Sequence, residues 1–234
     1  MRLRVAVEAP QHSGLEGVLD YAAQQDLELS TFAGGEAQAA ALSDDIAYNA
    51  HDIDDGLRAG LFAIDDLAEI PFLRDLLAEI DRRYPGLEPS RRIHELVRRV
   101  ITRFVEDAVR ESERLIAELA PDSAAAIRRA GRPVVAFSAA IAAADRAIKA
   151  FLHPRMYRHP RVVRVREQAD AILRDLFGRF TADPGAMPQE WRAGLEGAGE
   201  ARVARRVADY IAGMTDNYAV DEHRRLFPTT PELR

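Results

Sequence analysis

Apolar residues recur three and four positions apart along most of the chain, the spacing of amphipathic helices, and no stretch alternates as a half-buried strand would. At about 100° per residue, Leu42, Ile46, Ile53 and Leu57 fall within roughly 60° of one another, with Ala39 and Ala50 beside them. That stripe predicts a helix over about 35–61. A connector at 62–67 leads to a second helix near Pro71 carrying Leu73, Leu76, Leu77 and Ile80, ended by Tyr84-Pro85-Gly86. Ser90 reads as the N-cap of a long helix with Ile93, Leu96, Val97, Val100, Ile101, Phe104 and Val105 inward. Pro121-Asp122-Ser123 caps a short helix ended by Gly131-Arg132-Pro133, and an Ala-rich helix follows from Ser138 to Leu152. Met156–Arg161 reads as a loop, Val162–Phe180 as a helix, Asp183–Pro188 as a breaker, and Val203–Thr215 and Asp221–Leu226 as closing helices. The fold class is all-α.

Opposite the core stripe of the 35–61 helix, within roughly 60°, lie Asp44, Tyr48, His51 and Asp55, with Asp52 one step round. The plain reading is a solvated face. Such faces usually mix Lys and Glu at four-residue spacing, whereas this one concentrates Asp, a poor helix former, in a helix interior. Short carboxylates on a rigid helix suit a hard divalent cation, because Asp loses less side-chain freedom than Glu on becoming a ligand.

Ser43-Asp44-Asp45-Ile46-Ala47-Tyr48, followed by His51-Asp52-Ile53-Asp54-Asp55, resembles the closing metal-ligand helix of bacterial dGTP triphosphohydrolases, members of the HD-domain phosphohydrolase superfamily. The resemblance implies a multi-helix HD-domain-like fold. It also implies a divalent metal, Mg²⁺ or Mn²⁺, held by an early His, a central His-Asp doublet and a late Asp. On this register the late metal ligand is Asp44, supported from outside the coordination sphere by Asp45, while Tyr48 meets substrate phosphate and Asp52 the sugar 3′-hydroxyl. His51-Asp52 is itself an HD dipeptide, but as the central doublet it would need a His some tens of residues upstream, and only His12 precedes it. The Asp44 register accounts for Asp45, Tyr48 and Asp52 together.

Composition narrows the chemistry. The 234 residues are 47% hydrophobic, enough for a substantial core, and no apolar run reaches the length of a membrane span. With no secretory signal pattern and no Cys, a cytoplasmic location is expected, and disulfides, thiolate zinc sites and a Cys nucleophile are excluded. Net charge is −6, yet residues 36–81 carry twelve acidic and two basic side chains, so the acidity is concentrated around the candidate helix. Lys149 is the only Lys.

Arg91, Arg92 and His94 open the long helix, and Arg155, Arg158, His159 and Arg161 surround a proline-broken loop. Either set could bind phosphate through charge-assisted forks, with Arg91, Arg92 and Arg158 the candidates, or be solvated surface. Val207–Asp216 resembles the terminal helix of the dGTPase-type enzymes, which implies a structural role, with Ile211 and Met214 inward and Tyr210 and Asp216 satisfying polar groups on neighbouring helices. Trp191 is a lone aromatic without a reading.

The resemblance covers about residues 20–234. It divides the chain into a poorly specified segment 1–19, the C-terminal part of an HD-type domain at 20–120, and a helical phosphohydrolase-associated region at 121–234. It implies a deoxynucleoside triphosphate triphosphohydrolase acting on dGTP or another dNTP, in which metal-activated water attacks the α-phosphorus and releases deoxynucleoside and triphosphate. The early His and the His-Asp doublet have no counterpart here, so the expectation is an N-terminally incomplete chain, inactive and weak in metal alone, that forms a homo-oligomer or pairs with a complementing N-terminal half. The alternative is a non-catalytic helical module that assembles with or regulates a complete dNTPase.

Overall fold

A computed structural model describes residues 16–232, so His12 and most of the unspecified 1–19 segment lie outside the described residues. The described residues are helical with no strand, as the spacing predicted, and none of their helices is long and apolar enough to cross a membrane. The chain divides into two compact units, one ending at Arg155 and the other beginning at Met156.

The first unit contains α1 (Glu16–Gln24), α2 (Gly35–Arg58), a 3₁₀ turn (Ile64–Glu69), α3 (Pro71–Arg83), α4 (Pro89–Leu119), α5 (Ala124–Arg129) and α6 (Ala139–Leu152). Helix α4 is its spine: α2 and α3 both pack against it, and α2 also contacts α6. The predicted stripes meet there, with Ile46, Ala50, Ile53, Leu73, Leu76, Leu77, Ile80, Leu96, Val100 and Phe104 all buried. Edge-to-face aromatic pairs join the layers, Phe62 with Phe151 at 5.2 Å and Phe104 with Phe72 and Phe137 at 5.4 and 5.2 Å.

The cap of α4 differs from expectation. Glu88, not Ser90, closes the first turn, its carboxylate accepting from the backbone N–H groups of Ser90 and Arg91 at 3.0 and 3.2 Å, with Pro89 at the first helical position. Pro needs no amide partner there, which moves the boundary two residues earlier. Val105, expected inward, is 44% exposed.

The second unit contains α7 (Pro160–Ala182), α8 (Gln189–Arg192), α9 (Glu200–Ala212) and α10 (Asp216–Leu226). Ile172, Leu176, Phe180, Val207 and Tyr210 form its core, and Trp191 lies against the Tyr210 ring at 5.2 Å. Ile211 and Met214 pack on this core as expected. Tyr210 shares a 3.0 Å hydroxyl bond with Tyr218, and burial, then that bond, raises its pKa above the ordinary phenol range. Asp216 is instead exposed in the first turn of α10.

Two boundaries shift in and near this unit. The expected Arg- and His-rich loop begins as a π-helical turn at His153–Tyr157, and α7 opens at Pro160, where His159 Nδ1 accepts from the Arg161 N–H. The closing helices break at Gly213 rather than beyond Thr215, because the Thr215 hydroxyl caps α10 by accepting from Tyr218 N–H at 3.3 Å.

Candidate functional site

Helix α2 is held on two sides. Toward α4 it presents Ile46, Ala50 and Ile53, and near its C-terminus the buried Gly56 lies directly against the Phe62 ring, with no room for a Cβ. Toward α6 it presents Asn49, 2% exposed, whose amide donates to Asp145 Oδ1 at 2.6 Å. Lys149, one turn along α6, bridges Asp145 at 3.1 Å and approaches Asp45 at 3.8 Å. Sequence reasoning missed Asn49 and Asp145. The available signal was the solitary Lys149, a compact cation in a chain that otherwise uses Arg.

With those faces committed, the third face is the acidic ridge. Asp44, Tyr48, His51 and Asp55 are exposed, Tyr48 at 56%, whereas Asp52 is buried at 8%. Four of the five ridge residues thus face outward as the helical wheel places them, while Asp52 is turned toward the packed flank. Asp44 makes no ion pair within the described residues. Asp45 lies on the Lys149 side, so the adjacent carboxylates have different surroundings. Asp54 bonds Arg58 through Oδ2 at 2.8 Å, leaving a buried Oδ1 without a hydrogen-bond partner.

No group of three or more His, Cys, Asp or Glu side chains is close enough to hold a metal ion within the described residues. Catalytic metal sites usually have about three protein ligands. Asp44 by itself does not supply such a donor set.

The candidate phosphate-binding arginines separate. Arg92 is committed to a fork on Asp81, two bonds of 2.8 Å, with Asp65 at 3.4 Å. Arg91 has no ion-pair partner within the described residues and lines a surface recess. Arg158, in the second unit, is exposed. Of the neighbouring cluster, Arg155 bonds Glu69 at 2.8 Å and lies over the Phe151 ring at 4.2 Å.

On the side of α2 away from the ridge, Ala39, Leu42, Ser43 and Ile46 face Val105, Val109, Ser112 and Ile116 of α4 across an open groove of about 300 Å³. Val105, Val109 and Ile116 are 44, 51 and 39% exposed, an apolar strip along about three turns of α4.

A phosphohydrolase-associated domain matches residues 135–225. Over 217 residues, 93% of the chain, the sequence is 56% identical to a protein of Azorhizobium caulinodans named deoxyguanosinetriphosphate triphosphohydrolase-like protein, of which it covers 54%. Proteins of the same name from Brucella ovis and Rhizobium etli are 53 and 51% identical over 92 and 96% of the chain, which covers 54 and 57% of them. The chain spans about half the length of these curated relatives.

Proposed function

From the chain's correspondence to the C-terminal half of deoxyguanosinetriphosphate triphosphohydrolase-like proteins, we propose that it contributes the α2 wall of a site that hydrolyses a deoxynucleoside triphosphate to deoxynucleoside and triphosphate. The single observation that carries this reading is the α2 ridge: a rigid, doubly anchored helix that leaves Asp44 and Tyr48 exposed while holding Asp52 at its buried edge.

The chemistry of each group suits that task. The Tyr48 hydroxyl donates to a phosphate oxygen, and the Asp52 carboxylate accepts from a sugar 3′-hydroxyl. Asp44 offers one carboxylate toward a divalent cation. The described residues do not complete such a site, so no step is assigned through a metal.

The remaining ligands then belong to polypeptide equivalent to the part of the relatives that this chain does not cover. We assign the apolar groove of α2 and α4 as the docking surface for that polypeptide. Its exposed valines and isoleucine lie on the same two helices that carry and support the ridge.

The test is triphosphate release from dGTP with Mn²⁺, using the chain alone, the chain mixed with the equivalent of the uncovered half, and that mixture carrying Asp44→Ala. Activity is expected only in the mixture and is expected to be lost with Asp44→Ala, while 2′,3′-dideoxy-GTP is a poor substrate. Mixture activity indifferent to Asp44→Ala would overturn the assignment. Stimulation of a complete dNTPase by the Asp44→Ala chain would replace it with the regulatory-module reading.

A further inference from the structure

In α7 the core stripe is Ile172, Leu176 and Phe180, all buried. Leu173 and Phe177, each one residue and about 100° further round, form a second apolar stripe that the unit's own core does not use. They are 43 and 38% exposed, and Tyr218 of α10 is 42% exposed. No other large hydrophobic side chain among the described residues of the second unit is as exposed. Leu173 and Phe177 border a recess of about 730 Å³, lined also by Ile211 and Met214, which pack on the core beneath. Such a concentration of exposed apolar surface on one face marks an interaction site more often than scattered residues do.

Gly178 lies in the same recess, inside α7, and nothing is within 4 Å of the point a Cβ would occupy. Glycine in a helix interior costs about 1 kcal/mol relative to alanine, and no contact within the described residues exploits the missing side chain. It leaves room for another chain to come close. The recess also holds both signs of charge. Arg174 of α7 spends Nε on Asp170, at 2.6 Å, and neither of its Nη atoms has an ion-pair partner among the described residues. Asp216, in the first turn of α10, is exposed and likewise forms no ion pair there.

We propose that this face binds the same face of a second copy of the chain, across a two-fold axis passing between Arg174 and Asp216. A two-fold contact is reciprocal, so one patch must carry both halves of every pairing. This one does. Arg174 of each copy meets the second copy's Asp216, and each Phe177 enters the facing recess beside Gly178. A ligand of single charge would satisfy one of the two groups and leave the other beside an apolar surface, whereas self-pairing satisfies both. The apolar side chains supply affinity, with Phe177 the aromatic anchor, and the crossed ion pairs fix register. Stable interfaces bury about 800 Å² per partner, so the contact extends along α7 to either side of Leu173 and Phe177. It uses neither the α2 ridge nor the α4 groove, and it does not depend on the proposed hydrolysis.

The test is sedimentation of the purified full chain over a range of concentrations, with melting curves to confirm that each variant is folded. A monomer–dimer equilibrium is expected, weakened about tenfold or more by Arg174→Asp and by Asp216→Arg, each of which sets like charges against each other at both crossed pairs. An equimolar mixture of those two variants should recover the dimer, because only the heterodimer again matches opposite charges at both pairs. Phe177→Ala and Gly178→Leu should disperse the dimer while leaving the melting temperature of the monomer within a few degrees. Val109→Asp, on the α4 groove, should leave it intact. The proposal is overturned by a chain that stays monomeric throughout, by a dimer indifferent to both charge reversals, or by a mixture that fails to recover it. A dimer lost with Val109→Asp would overturn it by placing the second copy on α4. A monomer whose hydrophobic-dye binding is abolished by Phe177→Ala would do so by giving the recess to a different partner.

Discussion

Asn49 of α2 and Asp145 of α6, ninety-six residues apart in sequence, meet in a 2.6 Å hydrogen bond beside the ridge that carries Asp44, Tyr48 and Asp52. Because Asn49 is buried and Asp145 nearly so, removing one partner strands the other in a poorly solvated place. The bond thus sets the orientation of α2 about its own axis, which decides where the ridge points.

Asn49→Ala is expected to cost about 1–3 kcal/mol of unfolding free energy. Urea denaturation checks this, and a cycle with Asp145→Ala should show coupling above about 0.5 kcal/mol. Additive effects would mean that the bond contributes nothing specific, and that Lys149 alone keeps Asp145 satisfied.

Gly56 gives a second handle. Alanine normally favours a helix interior over glycine by about 1 kcal/mol, yet here its Cβ would run into the ring of Phe62, which is itself edge-on to Phe151. Overpacking should win, so Gly56→Ala is expected to destabilise by about 1–3 kcal/mol. In the Phe62→Leu background the same substitution should become neutral or favourable. Equal penalties in both backgrounds, measured by thermal unfolding, would exclude the ring as the cause.

What could be read from the sequence follows from periodicity. The stripes Ile46–Ile53, Leu73–Ile80 and Leu96–Phe104 are buried where the helical wheel put them, since apolar spacing is a local property. The exposed positions of Asp44, Tyr48, His51 and Asp55 were legible for the same reason. The Asn49–Asp145–Lys149 link was not, because spacing within one helix says nothing about which residue of another arrives beside it. Nor was the exposure of Val105 and Val109: a wheel marks an apolar face but not whether anything covers it.

Two ion pairs, Asp81 of α3 with Arg92 of α4 and Glu95 with Arg98 within α4, predict a pH response. Hydrogen bonds from Arg92 hold the Asp81 carboxyl below its usual range, and the hydrogen bond from Arg98 does the same for Glu95. A depressed folded-state pKa contributes stability that is complete above the unfolded value, about 4, and is lost as pH falls through the folded one. The melting temperature should be insensitive to these pairs between pH 6 and 8 and should decline below about pH 4. Asp81→Asn should lower the neutral-pH value slightly and make the acid decline shallower. An unchanged acid slope in Asp81→Asn would remove this pair from the explanation.

The exposed strip on α4 carries the prediction that bears most directly on how the ridge becomes a complete site. Leaving apolar surface in water costs about 25 cal/mol per Å², so even modest cover over Val105, Val109 and Ile116 contributes an appreciable part of a binding free energy. Val109 is 51% exposed, and Val109→Asp should therefore change the chain's own stability by no more than about 0.5 kcal/mol. If the groove receives the polypeptide that completes the ridge, the same substitution should weaken complementation of dGTP hydrolysis at least tenfold. It should also reduce hydrophobic-dye binding by the isolated chain. Sedimentation separates the occupants: a wild-type dimer dispersed by Val109→Asp would assign the groove to a second copy instead. Full complementation by a folded Val109→Asp chain would show that the groove is no docking surface for the proposed completing polypeptide.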